Sequence, residues 1–203
     1  MIRNIVFDMG MVLMDFHPLE ACRLAAGNEE DAQAIFSALF QNPEWTRLDD
    51  DSLEQDELGR RAQALLKSPR QKALVPDILN AMPYNILTPI PDMIDTACWA
   101  LDNGFHVYLL SNANLAVSRH REIVPLLERF SGVLFSADEK MMKPDPAIYR
   151  LLTDRYSLTP SECLFIDDVQ NNVNAALAEG WQAYCFDGDA AALRKMLEAL
   201  PRP

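Results

Sequence analysis

The sequence predicts an α/β protein: a parallel sheet covered by helices on both faces, with a small all-helical insert after the first strand. Three features carry that prediction. The chain opens on a continuous apolar run, Ile5-Val6-Phe7, that stops at Asp8, and an unbroken β-branched and aromatic run fits a strand buried on both sides. Residues 16–83 contain no convincing strand. From Tyr84 onward strand-like runs alternate with helical segments, the pattern of crossover units in a parallel sheet.

After the opening strand, Pro18 to Ala26 reads as a helix stopped by Gly27. Asn28 is placed to cap a second helix through Phe40, and Ser52 with Gln55 carries the spacing of a capping box for a third through Lys67. Ser68 and Pro69 open a fourth, because proline in the first helical turn gives up only a donor that has no intrahelical partner. Residues 16–83 are therefore expected as a helical cap, and residues 1–15 with 84–203 as the sheet-bearing core. In the core, Pro91 to Asn103 is helical and ends at Gly104, and Phe105 to Leu110 is a strand. Leu115 to Arg129 reads as helical with an interruption near Pro125, followed by a strand from Val133 to Phe135. Helices are expected over Pro146 to Tyr156, Asn171 to Glu179 and Ala190 to Leu200, with strands at Leu164 to Ile166 and Ala183 to Phe186.

Composition narrows the function. A chain of 203 residues holds one α/β core and a smaller appended unit. Eighteen basic against thirty acidic residues give a net charge of -12, with no Lys/Arg run, which argues against a nucleic-acid partner. The same acidity means that a phosphate-bearing substrate has to be held by locally placed cations. Cys22, Cys98, Cys163 and Cys185 show no C-x-x-C spacing and fall within expected helices and strands, as buried reduced thiols do. With no signal-like start and no apolar stretch of membrane length, the expectation is a cytoplasmic protein without a membrane partner.

Three strands end in polar groups: Asp8, then Ser111 with Asn112, then Asp167 with Asp168, while Lys143 stands in a loop between the last two. Parallel strands bring these ends to one edge, where the ligand crevice of such a sheet lies. Side chains alternate along a strand, so if the strand runs through Asp167 and Asp168 only one of them faces the site. Two carboxylates about 5 Å apart repel by roughly 3 kcal/mol at an effective dielectric near 20, and a bound phosphate adds to the repulsion. Such a cluster requires Lys143 and a divalent cation, and an all-oxygen ligand set suits Mg2+ better than Zn2+. Other polar residues read more plainly. His17, His106 and His120 lack metal-ligand spacing and read as packing or surface groups, Trp45 reads as core, and Asp49 to Asp51 read as a solvated turn before Ser52.

Phe7-Asp8-Met9-Gly10-Met11-Val12, Leu110-Ser111-Asn112, Lys143-Pro144-Asp145 and Phe165-Ile166-Asp167-Asp168 together resemble the four signature motifs of the haloacid dehalogenase-like hydrolases. The order and spacing match along the whole chain, helical cap included. The resemblance is nearest to the phosphatase branch that contains glucose-1-phosphate phosphatases and the N-terminal phosphatase domain of soluble epoxide hydrolases. It implies a Rossmann-like core and Mg2+-dependent hydrolysis of a small phosphorylated metabolite, with a sugar phosphate as one candidate. It further implies that Asp8 is the nucleophile, forming an aspartyl-phosphate that water hydrolyses. Asp8, the backbone carbonyl of Gly10 and Asp168 would hold Mg2+, with Asp167 and Asn172 behind them. Ser111 and the backbone amide of Asn112 would hold phosphoryl oxygens, and Lys143 would neutralise the nucleophile and the transferring group.

The chain departs from that pattern at Gly10, where most members carry a second Asp that serves as general acid and base. Such help is worth roughly 100- to 10,000-fold, so its loss bears on the rate. Two alternatives follow: a metal-free 2-haloacid dehalogenase that uses the same Asp8, and a catalytically weak relative that binds phosphorylated ligands.

Overall fold

The computed structural model describes all 203 residues. The chain opens with β1 (Asn4–Phe7) and β2 (Met14–Phe16), then runs through α1 (Pro18–Ala26), α2 (Glu29–Leu39), α3 (Gln55–Leu65) and α4 (Pro69–Asn80). It continues through β3 (Leu87–Pro89), α5 (Pro91–Asp102), β4 (His106–Ser111), α6 (Leu115–Arg119), β5 (Gly132–Phe135) and α7 (Ser136–Glu139). The last third is α8 (Pro146–Arg155), β6 (Cys163–Asp167), α9 (Gln170–Ala178), β7 (Gln182–Cys185) and α10 (Ala190–Glu198). β1 is the centre of a five-stranded sheet in the order β5-β4-β1-β6-β7, with every neighbouring pair parallel.

Register sorts the apolar residues onto two faces. Ile5 pairs with Val107 and Leu164, and this layer packs against Met93 and Ala97 of α5 and Leu193 of α10. Val6 pairs with Tyr108 and Phe165, which meet Ile148 and Tyr149 of α8 and Ala176 of α9. Both faces are therefore covered, as the unbroken apolar run of β1 predicts.

The helical segment agrees with its expected start and stop signals at most positions. Gly27 ends α1 in the left-handed region, at φ 69, with its N–H on the carbonyl of Arg23. The Asn28 side chain accepts from the N–H of Asp31 and caps α2, and Ser68 with Gln71 makes a complete capping box on α4. Ser52 does not cap α3: the helix begins at Gln55 after Glu54, and the Ser52 hydroxyl goes to the carbonyl of Arg47 instead. The reason lies upstream, where Trp45–Leu48 forms a 3₁₀ turn and the chain folds back on it. The expected helix from Leu115 to Arg129 is broken into α6 and two 3₁₀ turns, with Leu126 at φ 64 just after Pro125.

Two elements escape the sequence pattern altogether. β2 and β3 form a separate antiparallel pair where the chain enters and leaves the helices, each too short to show a period. Two thiols also differ from expectation, since Cys98 and Cys185 are only half-buried, while Cys22 and Cys163 are buried; all four are free.

The outer strand β5 depends on one close approach. The Tyr156 hydroxyl accepts from the N–H of Val133 at 3.0 Å and donates to its carbonyl at 3.1 Å. Its ring lies across Gly132, where an added Cβ would fall 2.3 Å from a ring carbon. Gly132→Ala is expected to destabilise the protein by about 1–3 kcal/mol through this overpacking, as a lower urea midpoint at unchanged slope.

Candidate active site

The register that places Phe7 beside Leu109 and Ile166 brings the carboxyl ends of β1, β4 and β6 together. Asp8 extends β1 by one residue, its N–H on the Ile166 carbonyl at 2.9 Å. Lys143 comes in from the loop between α7 and α8 and is buried together with Asp8 and Asp167. Its Nζ lies 2.8 Å from Asp8 Oδ1 and 2.6 Å from Asp167 Oδ2, and 5.3 Å from the centre of the Phe165 ring.

Each partner of that lysine is itself held. The Asn112 side chain donates to the Lys143 carbonyl and accepts from its N–H, both at 2.8 Å. Asp167 accepts from the N–H of Val169 at 2.8 Å and from the Asn172 amide at 3.0 and 3.1 Å, so both its oxygens are engaged. Both contacts of Asp8 fall on Oδ1, from Lys143 and from the N–H of Met9 at 2.7 Å. Ser111 is buried, and its hydroxyl meets only the Asn112 carbonyl at 3.5 Å, at the limit of a hydrogen bond.

Asp167 and Asp168 are not separated by strand alternation, because β6 ends at Asp167. Asp8, Asp167 and the half-buried Asp168 each offer an oxygen within 4.8 Å of the others. Three carboxylates against one lysine leave excess negative charge, and an all-oxygen donor set of that density fits a hard divalent cation. The electrostatics follow. Burial raises the Asp8 carboxyl to about 7, aided by Asp167 and opposed by Lys143. Burial, then Asp167, also raises Asp168. Burial opposes the charge on Lys143, but Asp8 and Asp167 hold its ammonium above the ordinary value.

Beside this cluster lies a cavity of about 220 Å3, lined among others by Met9, Gly10, Trp45, Asp49, Asn112 and Asp168. A larger cleft of about 590 Å3 opens nearby and shares Asn114 with it, but contains none of the strand-end acids. Two lining residues correct the sequence reading. Trp45 is half-buried in the cavity wall as well as packed on the helical unit's apolar residues, with its ring 4.5 Å from that of Phe40. Asp49, expected in a solvated turn, faces the cavity, and its carbonyl accepts a hydrogen bond from the Ser136 hydroxyl. Burial, then the Asp50 and Asp8 carboxylates, push Asp49 up to about 7. Nothing in the local sequence marks Asp49, because its place depends on the helical segment docking against α7. The histidines lie elsewhere: His17 and His106 are exposed, and so is His120, which pairs with Tyr84 and Glu122.

The sequence profile of the haloacid dehalogenase-like hydrolases matches residues 2–180. The chain belongs to that family. It is 26% identical to mouse acyl-CoA dehydrogenase family member 10 over 98% of its own length, and spans about a fifth of that relative, 19%. It is also 26% identical to D-ribitol-5-phosphate phosphatase of Bacteroides thetaiotaomicron, over 91% of each chain. A Pseudomonas (S)-2-haloacid dehalogenase is 31% identical over 48% of this chain and 44% of its own. Among solved structures, a HAD family enzyme of Bacteroides thetaiotaomicron in complex with magnesium and inorganic phosphate superposes with a TM-score of 0.68 at 19% identity, covering 93% of this chain and 96% of that one. No helix of the structure is long and apolar enough to cross a membrane.

The raised Asp8 carboxyl makes the metal-free protein pH-sensitive. A folded-state value of about 7 against an ordinary 3.8 contributes stability that is complete below the ordinary value and lost as pH rises through the folded one. Between pH of about 4 and about 7 the thermal midpoint of the metal-free wild type is expected to fall relative to that of Asp8→Asn. Added Mg2+ should recover the loss at the upper end in the wild type.

Proposed function

We propose that the protein is a Mg2+-dependent phosphomonoester hydrolase acting on a small phosphorylated metabolite. The observation that carries this reading is the buried lysine shared by two carboxylates, with a third, Asp168, within 4.8 Å that also lines a small cavity. In this reading Asp8 attacks phosphorus through a carboxylate oxygen, the bond to the leaving oxygen breaks, and water then cleaves the aspartyl-phosphate. The Ser111 hydroxyl and the Asn112 N–H bind phosphoryl oxygens. Lys143 balances the charge of Asp8 and of the transferring group, where preorganised electrostatics contribute most.

Asp8, the Gly10 carbonyl and Asp168 hold Mg2+, while Asp167, whose oxygens are already taken, acts from behind with Asn172. The ion supplies charge neutralisation and orientation of the phosphoryl group. Residues 16–83 act as the cap that covers the site and excludes water. Support comes from the phosphatase relative and from the structural neighbour that holds magnesium and phosphate.

The cavity bears on the substrate. None of its thirteen lining residues is Lys or Arg, and two are acids, Asp49 and Asp168. A metabolite whose organic part carries a second negative charge would find no partner there, so an uncharged polyol or sugar phosphate suits it best. The same wall disfavours the dehalogenase alternative, which the Pseudomonas relative raises, because a 2-haloacid brings a carboxylate.

Asp8→Asn is expected to lower phosphate release from 4-nitrophenyl phosphate by more than about 1,000-fold with an unchanged circular-dichroism spectrum. Wild-type turnover by that variant would remove the nucleophile. Exhaustive EDTA treatment should abolish phosphate release, and Mg2+ should restore it. Halide release from a 2-haloacid that survives EDTA would instead identify a dehalogenase.

A further inference from the structure

Cleavage of a phosphomonoester leaves an oxygen that must gain a proton, and the following hydrolysis needs a group to take one from water. Asp8 is occupied as nucleophile, and Gly10 has no side chain to offer. A Cβ placed at Gly10 would meet nothing within 4 Å, so the space there is open. Of the residues lining the cavity, only Asp49 and Asp168 carry an ionisable side chain, and the proposed function commits Asp168 to the metal.

Asp49 reaches the cavity on the turn that follows the 3₁₀ segment Trp45–Leu48. That turn is tied to the core at two points. The hydroxyl of Ser136, the first residue of α7, donates to the Asp49 carbonyl, and Lys140 pairs with Asp51 at 3.2 Å. Ser136 is buried and also accepts from the N–H of Ala113 at 2.9 Å, so the anchor is rigid. The turn is thereby fastened to the segment that follows Ser111 and Asn112, which places a carboxyl of the helical unit opposite the strand ends.

We infer that Asp49 is a catalytic acid and base of this enzyme, supplied by the helical unit in place of a side chain at position 10. The inference rests on the phosphatase reading. As Asp8 bonds to phosphorus and the phosphorus–oxygen bond of the ester breaks, the electron pair goes to the leaving oxygen, which takes the proton of the Asp49 carboxyl. Water then attacks phosphorus, its proton passes to Asp49, and the bond to Asp8 breaks. The products are the alcohol and phosphate, with Asp49 protonated again and Asp8 restored. The raised carboxyl of Asp49 suits both duties near neutrality, and Asp8, which a cation would offset, is the smallest of its three causes.

The 203-residue protein in saturating Mg2+, assayed on substituted phenyl phosphates from 4-nitrophenyl to phenyl, tests the assignment through kcat/KM. A poor leaving group depends on the acid more than a good one does. Asp49→Asn is expected to lose at least about tenfold more on phenyl phosphate than on 4-nitrophenyl phosphate, within the roughly 100- to 10,000-fold range of general acid help. Asp49→Ala should steepen the leaving-group dependence in the same way, and the backbone carbonyl that anchors Ser136 survives in both. Equal losses across the series in either folded variant would overturn the role of Asp49 and leave the phosphatase reading standing. A wild type inert toward every ester would remove both.

Discussion

The ammonium of Lys143, held between Asp8 and Asp167, is the interaction on which the rest of the site depends. Taking a lysine and two carboxylates out of water costs several kcal/mol per ion, and only good geometry with further hydrogen bonds compensates. The chain supplies these on every side: Asn112 fixes the lysine backbone, Phe165 lies under the ammonium, and Asn172 with the Val169 N–H saturates Asp167. Four strand-end or helix-start segments thus converge on one positive charge. The balance remains negative once Asp168 is included, and a substrate anion can share that space only when a cation comes with it.

Much of the core was legible in the sequence because its signals are local. Ile5-Val6-Phe7 announces a buried strand, Gly27 and Ser68 mark helix ends through their own chemistry, and the paired acids with Lys143 stand out against an acidic background. What stayed hidden is set by tertiary contact. β2 and β3 are three residues each and exist by pairing with one another. Ser52 had the spacing of a cap but was claimed by the turn before it. Asn112 contributes through its side chain to the Lys143 backbone, thirty-one residues away, and Asp49 is drawn into the cavity by Ser136. Neither can be read from neighbours in the chain.

The helical unit is not a loosely tethered lid. Its buried residues, among them Ile35, Leu58 and Val75, belong to the same apolar cluster as Phe7, Met93 and Val107 of the core. The two connections are also fastened together, since β2 and β3 pair and the pairing continues through His17 to Ile86 and Ile90 to Leu13. Entry and exit are therefore joined in one ribbon beside the Asp8 loop, in addition to the ties of the Asp49–Asp51 turn to Ser136 and Lys140. A displacement of that ribbon would be felt first at Met14, whose N–H is bonded to the Met9 carbonyl at 2.8 Å.

Tyr156 has a role at the opposite end of the sheet. By both donating to and accepting from Val133, its hydroxyl imitates the backbone of a neighbouring strand. An outer strand with unsatisfied amides is a template on which a second molecule can add its own strand. Here a single phenol occupies that template at mid-strand, so the N–H and carbonyl of Val133 are already taken and a foreign strand would have to displace Tyr156 to pair there.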